Sequence, residues 1–469
     1  MLAAVLALLA AGTVLVDPAG AAALDCGDVI TQDTTLTANV GPCPGTGLVV
    51  AADGVTLDLG GHTVMGDAEA RSANDDLGPT GRDRAGIVLR RVRDVVVTNG
   101  TVTGFDGGVA IVGGGGNTVR RVTAHGNVNY RLITGRDARV ADVDPEEGPF
   151  CWFGEGIVTL DSAGNLIEHN LLVGNGPFGG VSLVGQSDDN VVATNRAFDN
   201  DLLNVGPAGG ETICGGIGAA QPQPMSAGRR SQGIGIRVEG PGAERNLVEG
   251  NHVVRAGLAG IMVHGHNAAA GIPANSHTVI RRNRVFQTGA VGQGTERQLH
   301  GIMLHHSGAG AVNAPHSTLI EGNTSSFNRG GGIFLDSRGG LHSTVVRGNT
   351  MEHNGLDGLH VAGPGDPAGD PNLLVGNRAH HNGRRAQEVN EGPDRNANYA
   401  GTDGADMSDG CLRNVWSRNR FGTVNQPCVA AGGTGSLDGP GRSADARPDD
   451  AGPSFGRGHG RPGQLPVGG

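Results

Sequence analysis

The sequence predicts an all-β solenoid, in which many short strands stack as successive coils of a single chain. Two short patterns recur along most of the chain, and no segment keeps the 3.6-residue spacing of apolar side chains that a helix needs. Glycine accounts for 85 of the 469 residues, whereas only 3% of the residues are aromatic. This composition suits a core of small aliphatic side chains between glycine-rich corners.

The first repeated pattern is a six-residue segment that ends in asparagine, as in NLIEHN at Asn170, NLVEGN at Asn251 and TLIEGN at Asn323. Further copies end at Asn99, Asn195, Asn283, Asn349, Asn377 and Asn419. Another asparagine often follows five residues later. Because asparagine tolerates a positive φ angle, the pattern predicts a left-handed turn at this residue. We also expect the asparagine side chains to form hydrogen bonds from coil to coil.

The second pattern is a glycine followed by an aliphatic residue, any residue and another aliphatic residue. Its copies are GIVL from Gly86, GVAI from Gly108, GVSL from Gly180, GIRV from Gly235, GIMV from Gly260, GIML from Gly301, GIFL from Gly332 and GLHV from Gly358. Within each predicted strand aliphatic and polar residues alternate, so one side of the strand faces inwards. A unit of three such short strands cannot bury a face alone, so successive units must stack.

Together, the two patterns resemble the repeats of right-handed parallel β-helix proteins, the pectate-lyase-like superfamily, and are similar to NosD-type repeats. The segment VTLDLGGHTV from Val55 resembles the first coil of that architecture. The resemblance extends over roughly residues 25–428. It implies a single-stranded right-handed parallel β-helix of about ten or more coils, and ten coils at ~4.8 Å would form a rod roughly 50 Å long.

Changes in composition divide the chain into four segments. Residues 1–23 contain the apolar run Leu2–Val16 and three alanines that suit a cleavage site, so they are predicted to be a signal peptide. Residues 24–85 are predicted to form an N-terminal cap and the first coils, residues 86–428 the repeats, and residues 429–469 a disordered tail rich in glycine and proline. We therefore expect a secreted, extracellular monomer with no membrane segment after signal cleavage.

Six cysteines suggest disulfide bonds, because their number is even and the chain is expected to be exported. Six cysteines allow 15 connectivities. Pairing between neighbours in sequence is favoured here: Cys26–Cys43, Cys151–Cys214 and Cys411–Cys428.

The charged residues exclude several classes of function. All 35 basic residues are arginine, which rules out Schiff-base chemistry on a lysine and a P-loop nucleotide site. The net charge of −11 argues against nucleic acid as the main partner.

Loop lengths indicate that the glycine-initiated strands form the functional face. Forty positions separate Asn195 from Gly235, and eighteen separate Asn283 from Gly301, whereas the corner at the repeated asparagine keeps its length. Functional residues concentrate on such variable loops. In the resembled superfamily, this sheet is also the one that binds substrate.

Two rows of outward side chains are predicted on this sheet. The first row includes Arg237, Met262, Met303, Phe334 and His360, and the second includes Glu239, His264, His305 and Asp336. The predicted catalytic residues are Arg237, Glu239, His264, His305 and Asp336. The predicted substrate-binding residues are Phe334, His360, His266 and His306, with Phe334 as an exposed aromatic platform. Thirteen of the 17 histidines lie between His252 and His381.

These residues suggest that the protein binds an extracellular polysaccharide or processes it as a uronate lyase, hydrolase or epimerase. In elimination, Arg237 would neutralise the sugar carboxylate, and His264 or His305 would transfer protons. Hydrolysis needs two carboxyl groups at most about 9.5 Å apart, and Glu239 and Asp336 lie three rungs apart. No complete catalytic motif of the superfamily is present. The alternative is a non-catalytic adhesion or glycan-binding solenoid.

Metal binding gives two further hypotheses. Met262 and Met303, beside His264 and His305, form a soft ligand set suited to copper, as the likeness to NosD-type proteins implies. Two acidic loops, residues 142–155 and 388–409, leave calcium open as a cofactor, although neither has EF-hand spacing and both also suit solvated loops.

Overall fold

The protein folds as a parallel β-helix, which confirms the predicted fold class. The computed structural model describes residues 20–67, 84–128, 154–176, 179–200, 203–204, 230–231, 233–240, 242–265, 274–289, 299–306, 314–336, 340–362, 369–383, 405–409 and 413–436. Within these ranges the chain forms 38 strands and one short helix. None of the described helical residues makes a helix of the length and apolarity needed to cross a membrane.

The first sheet has twelve parallel strands, one for each coil, and includes the predicted glycine-initiated strands. Its strands are β2 (Asp28–Ile30), β5 (Leu48–Val50), β8 (Ala85–Arg90), β10 (Gly107–Val112), β12 (Glu155–Leu160), β15 (Gly179–Val184), β20 (Ile234–Gly240), β23 (Ala259–Gly265), β26 (His300–His306), β29 (Ile333–Asp336), β32 (Leu359–Ala362) and β35 (Met407–Asp409).

The second sheet has 24 strands in two series, which form the other two sides of each coil. One series is β1 (Gly20–Ala22), β3 (Thr34–Leu36), β6 (Thr56–Asp58), β13 (Leu166–Glu168), β16 (Val191–Ala193), β21 (Leu247–Glu249), β24 (Val279–Arg281), β27 (Leu319–Glu321), β30 (Val345–Arg347), β33 (Asn372–Val375) and β36 (Asn414–Ser417). The other is β4 (Val40–Cys43), β7 (Thr63–Gly66), β14 (Leu171–Val173), β17 (Arg196–Phe198), β22 (His252–Val254), β25 (Arg284–Phe286), β28 (Thr324–Ser326), β31 (Thr350–Glu352), β34 (Arg378–His380), β37 (Asn419–Thr423) and β38 (Gly433–Ser436). Two longer strands, β9 (Val96–Thr103) and β11 (Thr118–His125), take part in both series.

Three elements fall at or beyond the predicted segment boundaries. Strand β1 lies in the last residues of the predicted signal peptide and pairs with β3. At the other end, helix α1 (Pro427–Ala431) and β38 continue the fold past residue 428, where the disordered tail was predicted to begin.

A separate antiparallel pair joins β18 (Leu203–Asn204) to β19 (Arg230–Ser231).

The core is a narrow column of aliphatic side chains, as the alternation predicts. On β20, for example, Ile236 and Val238 are buried in this column, while Arg237 and Glu239 point to the other side of the sheet. The glycine that begins the glycine–aliphatic pattern is required by close packing, as Gly332 shows. A Cβ added at Gly332 would lie 2.6 Å from the carbonyl oxygen of Gly358 and 2.8 Å from Nδ2 of Asn354.

Buried asparagines form hydrogen-bonded ladders along the coils, as expected. Asn323 is representative: its backbone N–H donates to Oδ1 of Asn349 (2.9 Å), and its Oδ1 accepts from the backbone N–H of Asn283 (2.9 Å). One such ladder runs through Asn170, Asn195, Asn251, Asn283, Asn323, Asn349, Asn377 and Asn419.

The prediction of a left-handed turn at the repeated asparagine is confirmed at Asn99, which has φ +58°, and is wrong at the eight asparagines of this ladder. The positive φ angle belongs to the preceding residue at His169, Thr194, Gly250, Arg282, Gly322, Gly348, Gly376 and Arg418. That residue points outwards, whereas the asparagine turns inwards and bonds to backbone groups that the short strands leave unpaired. The ladder therefore depends on the asparagine amide rather than on its tolerance of positive φ.

One of the three predicted disulfides is present among the described residues. Cys26 and Cys43 are bonded at the N-terminal end of the solenoid, with an S–S distance of 2.06 Å. Cys428 is also disulfide-bonded, and its predicted partner, Cys411, lies outside the described residues. The predicted Cys151–Cys214 pair lies outside them as well.

Candidate functional site

The predicted outward rows are aligned on successive rungs of the first sheet. Glu239 on β20 is in register with His264 on β23, which is in register with His305 on β26. Asp336, at the end of β29, continues this row on the next rung and contacts His305. The structure therefore brings these four predicted catalytic residues together in one row.

The first outward row is also in register, but its side chains are buried. Arg237, Met262, Met303, Phe334 and His360 occupy successive rungs, and none is more than 6% exposed. The prediction that Phe334 is an exposed platform is wrong, because this ring is fully buried. It packs in an apolar cluster outside the main core, whose members are Ile234, Ala259, Met262, Met303, Phe334 and Ala362.

Two imidazoles in the second row are each backed by a carboxylate. Nδ1 of His305 lies 3.0 Å from Oδ2 of Asp336, whose side chain is fully buried. Nδ1 of His264 lies 3.6 Å from Oε1 of Glu239. The two histidine rings stack with centroids 5.1 Å apart, and each side chain keeps 15% of its surface exposed. The carboxylates favour Nδ1–H on both rings, which directs the Nε2 atoms away from them.

Arg237, in the first row, is the counter-ion of Glu239 in the second row. Its Nη1 lies 2.6 Å from Oε2 of Glu239, and its Nη2 lies 3.8 Å from Oε1 of Glu155. Glu155 belongs to β12, two rungs before Arg237, and the strand between them has Gly179 and Ser182 in register. These small residues leave room for the guanidinium to reach Glu155. Because two carboxylates contact Arg237 inside the protein, its predicted role of holding a sugar carboxylate is not supported by its position.

A second stack of rings lies beside the first. Phe334 is sandwiched between His300 and His360, with centroid distances of 4.5 and 5.4 Å. Nδ1 of His360 lies 2.7 Å from Oδ2 of Asp357. Nδ1 of His300 accepts a hydrogen bond from the backbone N–H of Gly331 (2.8 Å), so this ring is the neutral imidazole with its proton on Nε2. His360, predicted to bind substrate, is thus a buried member of this stack.

Sequence reasoning missed three ionisable residues of this region: Glu155, His300 and Asp357. All three are buried. Each stands immediately before a glycine that is followed by an aliphatic residue: Gly156, Gly301 and Gly358. The residues at this position on successive strands form a third outward row. Their ionisable side chains are the feature of the sequence that could have identified Glu155, His300 and Asp357.

The side chains of the two remaining predicted substrate-binding residues, His266 and His306, are not described. His266 is outside the described residues, and His306 is described only as the last backbone position of β26. Most of the two acidic loops considered for calcium is outside the described residues too. Of their acids, Glu155 contacts Arg237, and Asp406 accepts hydrogen bonds from the backbone N–H groups of Gly422 and Thr423.

Much of the histidine enrichment has a different structural basis. His316 lies between His277 and His342, at centroid distances of 6.2 and 4.7 Å, in a ladder at a corner of the coils. A second corner ladder contains Phe327, His353 and His381. Burial and the neighbouring histidines lower the pKa of His316. Stacking between coils thus explains these histidines without a ligand.

The described residues contain no group of three or more histidine, cysteine, aspartate or glutamate side chains arranged to hold a metal ion. Met262 and Met303, the soft ligands of the copper hypothesis, pack against apolar neighbours in the outer cluster. The second row contains two stacked imidazoles, each with a carboxylate near its Nδ1.

Comparison with known proteins agrees with the fold. A family model described as a right-handed beta helix region matches residues 49–198. Similar solved structures include the Dettilon tailspike protein (gp208), with 15% identity over 89% of this chain and 60% of that chain, and a TM-score of 0.47. Another is the A-module of the Azotobacter vinelandii mannuronan C-5 epimerase AlgE6, with 14% identity over 88% of this chain and 90% of that chain, and a TM-score of 0.44.

A third similar structure is the periplasmic alginate epimerase AlgG, with 10% identity over 87% of this chain and 78% of that chain, and a TM-score of 0.36. The chain spans about three fifths of the length of the tailspike protein. A comparison with curated protein sequences found no significant match. The family-model match over residues 49–198 agrees with the parallel β-helix that the structure shows.

Proposed function

We propose that this protein is a secreted lyase that cleaves an acidic polysaccharide by β-elimination at a uronate residue. The observation that carries the proposal is the stacked pair His264 and His305, each with a carboxylate near Nδ1 and with 15% of its side chain exposed. Nε2 of His264 is itself covered, so the proposed step requires substrate binding to uncover this atom. Elimination needs a base for the proton on sugar carbon 5 and an acid for the leaving oxygen on carbon 4. Imidazoles exchange protons near neutral pH and can supply both groups.

In the proposed step, Nε2 of His305 removes the proton from carbon 5, while Asp336 accepts the hydrogen bond from Nδ1–H and stabilises the imidazolium that forms. The electron pair of the broken C–H bond becomes the new double bond between carbons 4 and 5. The bond from carbon 4 to the glycosidic oxygen breaks, and His264, protonated beside Glu239, gives its proton to that oxygen. The products are a new chain end and an unsaturated uronate.

The position of the two rings favours elimination over the other reactions considered. Both histidines project from the same side of one sheet, so they approach a sugar from one face. Epimerisation needs groups on opposite faces of the ring. Hydrolysis needs two carboxyl groups at most about 9.5 Å apart, whereas Glu239 and Asp336 are separated by three rungs, or about 14 Å. Each of these carboxylates also contacts a histidine ring.

Burial of the neighbouring row favours one alternative, a non-catalytic solenoid that binds glycans. Arg237 is 3% exposed and Asp336 is fully buried, so part of the charged network stabilises the coils whether or not chemistry occurs. A binding protein would retain this network for packing alone. Measuring activity separates the two functions.

The proposed export is supported by the disulfide between Cys26 and Cys43, because such bonds persist in oxidising compartments. The aligned carboxylate–imidazole pairs need no metal for the proposed step. Calcium remains a hypothesis for the acidic loops.

The test compares the parent protein with the double variant His264→Ala/His305→Ala on polygalacturonate, alginate and a neutral glucan. Unsaturated product is followed by ultraviolet absorbance. The parent should act on a uronate polymer, and the double variant should lose about 10²–10⁴-fold or more in rate. The matched control is His277→Ala/His342→Ala, which removes two histidines from a corner ladder. Parental activity in the folded site variant would refute the proposal, and an inactive parent would favour the binding solenoid.

A further inference from the structure

The third side of the coils carries a cationic strip, formed by Arg196, His252 and Arg284 with Phe198 and Phe286. Arg196, His252 and Arg284 are in register on strands β17, β22 and β25. Phe198, Val254 and Phe286 form the parallel row beside them. This strip lies on a different sheet from the histidine pairs, so it is independent of the proposed reaction.

The two arginines of the strip have no carboxylate partner among the described residues, although the protein carries a net charge of −11. Arg245, Arg255, Arg281, Arg282 and Arg347 each contact a carboxylate. Arg196 and Arg284 are exposed instead, on either side of His252. Burial, and then the positive charges of these two arginines, lower the pKa of His252. An anion bound here would lie beside two positive charges that no described carboxylate neutralises.

Aromatic packing holds the strip in place. His252 contacts Phe198 and Phe286 edge to face, with centroids 5.4 and 5.9 Å apart. The guanidinium carbon of Arg196 lies 5.0 Å from the centroid of the Phe198 ring. The cationic groups are therefore held on rigid strands, which reduces the entropy lost when a ligand binds.

The geometry fits an extended polymer with regularly spaced carboxylates. Arg196 and Arg284 are two rungs apart, or about 10 Å along the axis of the rod, and guanidinium groups pair strongly with carboxylates. Single-stranded nucleic acid would instead need aromatic faces on which bases stack. Here Arg196 lies against the ring of Phe198, and both phenylalanines pack against His252. The strip therefore favours charge recognition over base stacking.

We propose that Arg196, His252 and Arg284 form a binding site for an acidic polysaccharide on the third side of the solenoid. The two arginines would each bind a carboxylate of the same chain. Binding two carboxylates on one polymer raises the affinity through effective concentration. The site would hold the polysaccharide along the rod independently of any reaction at the first sheet.

The first test measures binding of polygalacturonate to the parent protein and to Arg196→Gln/Arg284→Gln by calorimetry at low and moderate salt. The double variant should bind at least about tenfold more weakly, with a smaller salt dependence, because two charged contacts are lost. The control Arg281→Gln/Arg347→Gln removes the same charge from arginines paired with glutamates, and should bind like the parent. Dextran and a single-stranded oligonucleotide serve as uncharged and phosphate-bearing probes.

The second measurement is the pKa of His252 by NMR, with and without polygalacturonate. A bound carboxylate should raise this pKa by offsetting the two arginine charges. The proposal is overturned if the strip variant binds like the parent, if the control loses as much affinity, if the oligonucleotide binds more tightly than polygalacturonate, or if the pKa of His252 does not change. Cleavage of short uronate substrates should continue in Arg196→Gln/Arg284→Gln, so this outcome is separate from that of the lyase test.

Discussion

Replacing Asn323 by alanine tests whether the buried asparagine ladder stabilises the solenoid. Oδ1 of Asn323 accepts hydrogen bonds from the backbone N–H and from Nδ2 of Asn283, at 2.9 and 3.0 Å. Its Nδ2 donates to the carbonyl of Ile280 (2.9 Å) and to Oδ1 of Asn349 (3.0 Å). Alanine keeps the backbone bond to Asn349 but removes all four side-chain bonds.

The loss of these bonds leaves buried polar groups without their partners. The backbone N–H of Asn283 and the carbonyl of Ile280 lose side-chain hydrogen bonds, while Nδ2 of Asn283 retains its bond to Val248. Each buried group left unsatisfied costs about 1–3 kcal/mol. For these two groups together, we expect the free energy of unfolding to fall by about 2–6 kcal/mol.

The free energy of unfolding is measured by chemical denaturation followed by far-ultraviolet circular dichroism. Thr324→Ala is the matched control, because Thr324 is the next residue and its side chain is half-buried on the outer side. It should change the free energy of unfolding by at most about 1 kcal/mol. Equal midpoints for Asn323→Ala and Thr324→Ala would refute the ladder as a source of stability.

Three further predictions concern packing, the N-terminal end and pH. Gly332→Ala should destabilise the fold by about 1–3 kcal/mol, because a Cβ there would overlap the Gly358 carbonyl oxygen and Asn354; an unchanged denaturation midpoint would contradict this packing. Cys26→Ser/Cys43→Ser should lower the free energy of unfolding by about 3 kcal/mol, since the bond closes a loop across 17 positions; an equal midpoint for oxidised parent and variant would oppose it. The folded state holds the pKa of His316 below its ordinary value, so the unfolded chain binds the proton more readily. The contribution of the neutral His316 ring to the free energy of unfolding is fully present above about pH 6.5, and it is lost as the pH falls towards the lowered pKa. Denaturation midpoints between pH 7 and 5 should therefore fall more steeply for the parent than for His316→Gln, and parallel slopes would reject this assignment.

The sequence predicts the fold well because each coil repeats the same local constraints. The glycine of the glycine–aliphatic pattern and the asparagine at the end of each six-residue repeat mark positions where only a small residue or a buried amide fits. The conformation of the turn was harder to predict. Asparagine itself tolerates a positive φ, but Gly322 adopts it and Asn323 uses its amide for the ladder. Residue preference alone does not distinguish these two roles.

The sequence predicts which site residues lie on neighbouring rungs, but it does not predict which of their side chains are buried. A period of two and the spacing of rungs are enough to align Glu239, His264 and His305. They do not show which outward side chains are covered, so Phe334 was expected at the surface although it is fully buried. Long-range ion pairs were also missed. Arg237 reaches Glu155 across an intervening strand, a contact that depends on small residues there rather than on any local motif.

The most direct test of the proposed chemistry is cleavage of a uronate polymer in water enriched in heavy oxygen, with the products analysed by mass spectrometry. Elimination transfers a proton and forms a double bond without adding water, so each cleavage should give an unsaturated product with no heavy oxygen. Incorporation of one heavy oxygen per cleavage would show hydrolysis and contradict the assigned roles of His264 and His305. Failure of the folded parent protein to cleave any uronate polymer would contradict the catalytic account.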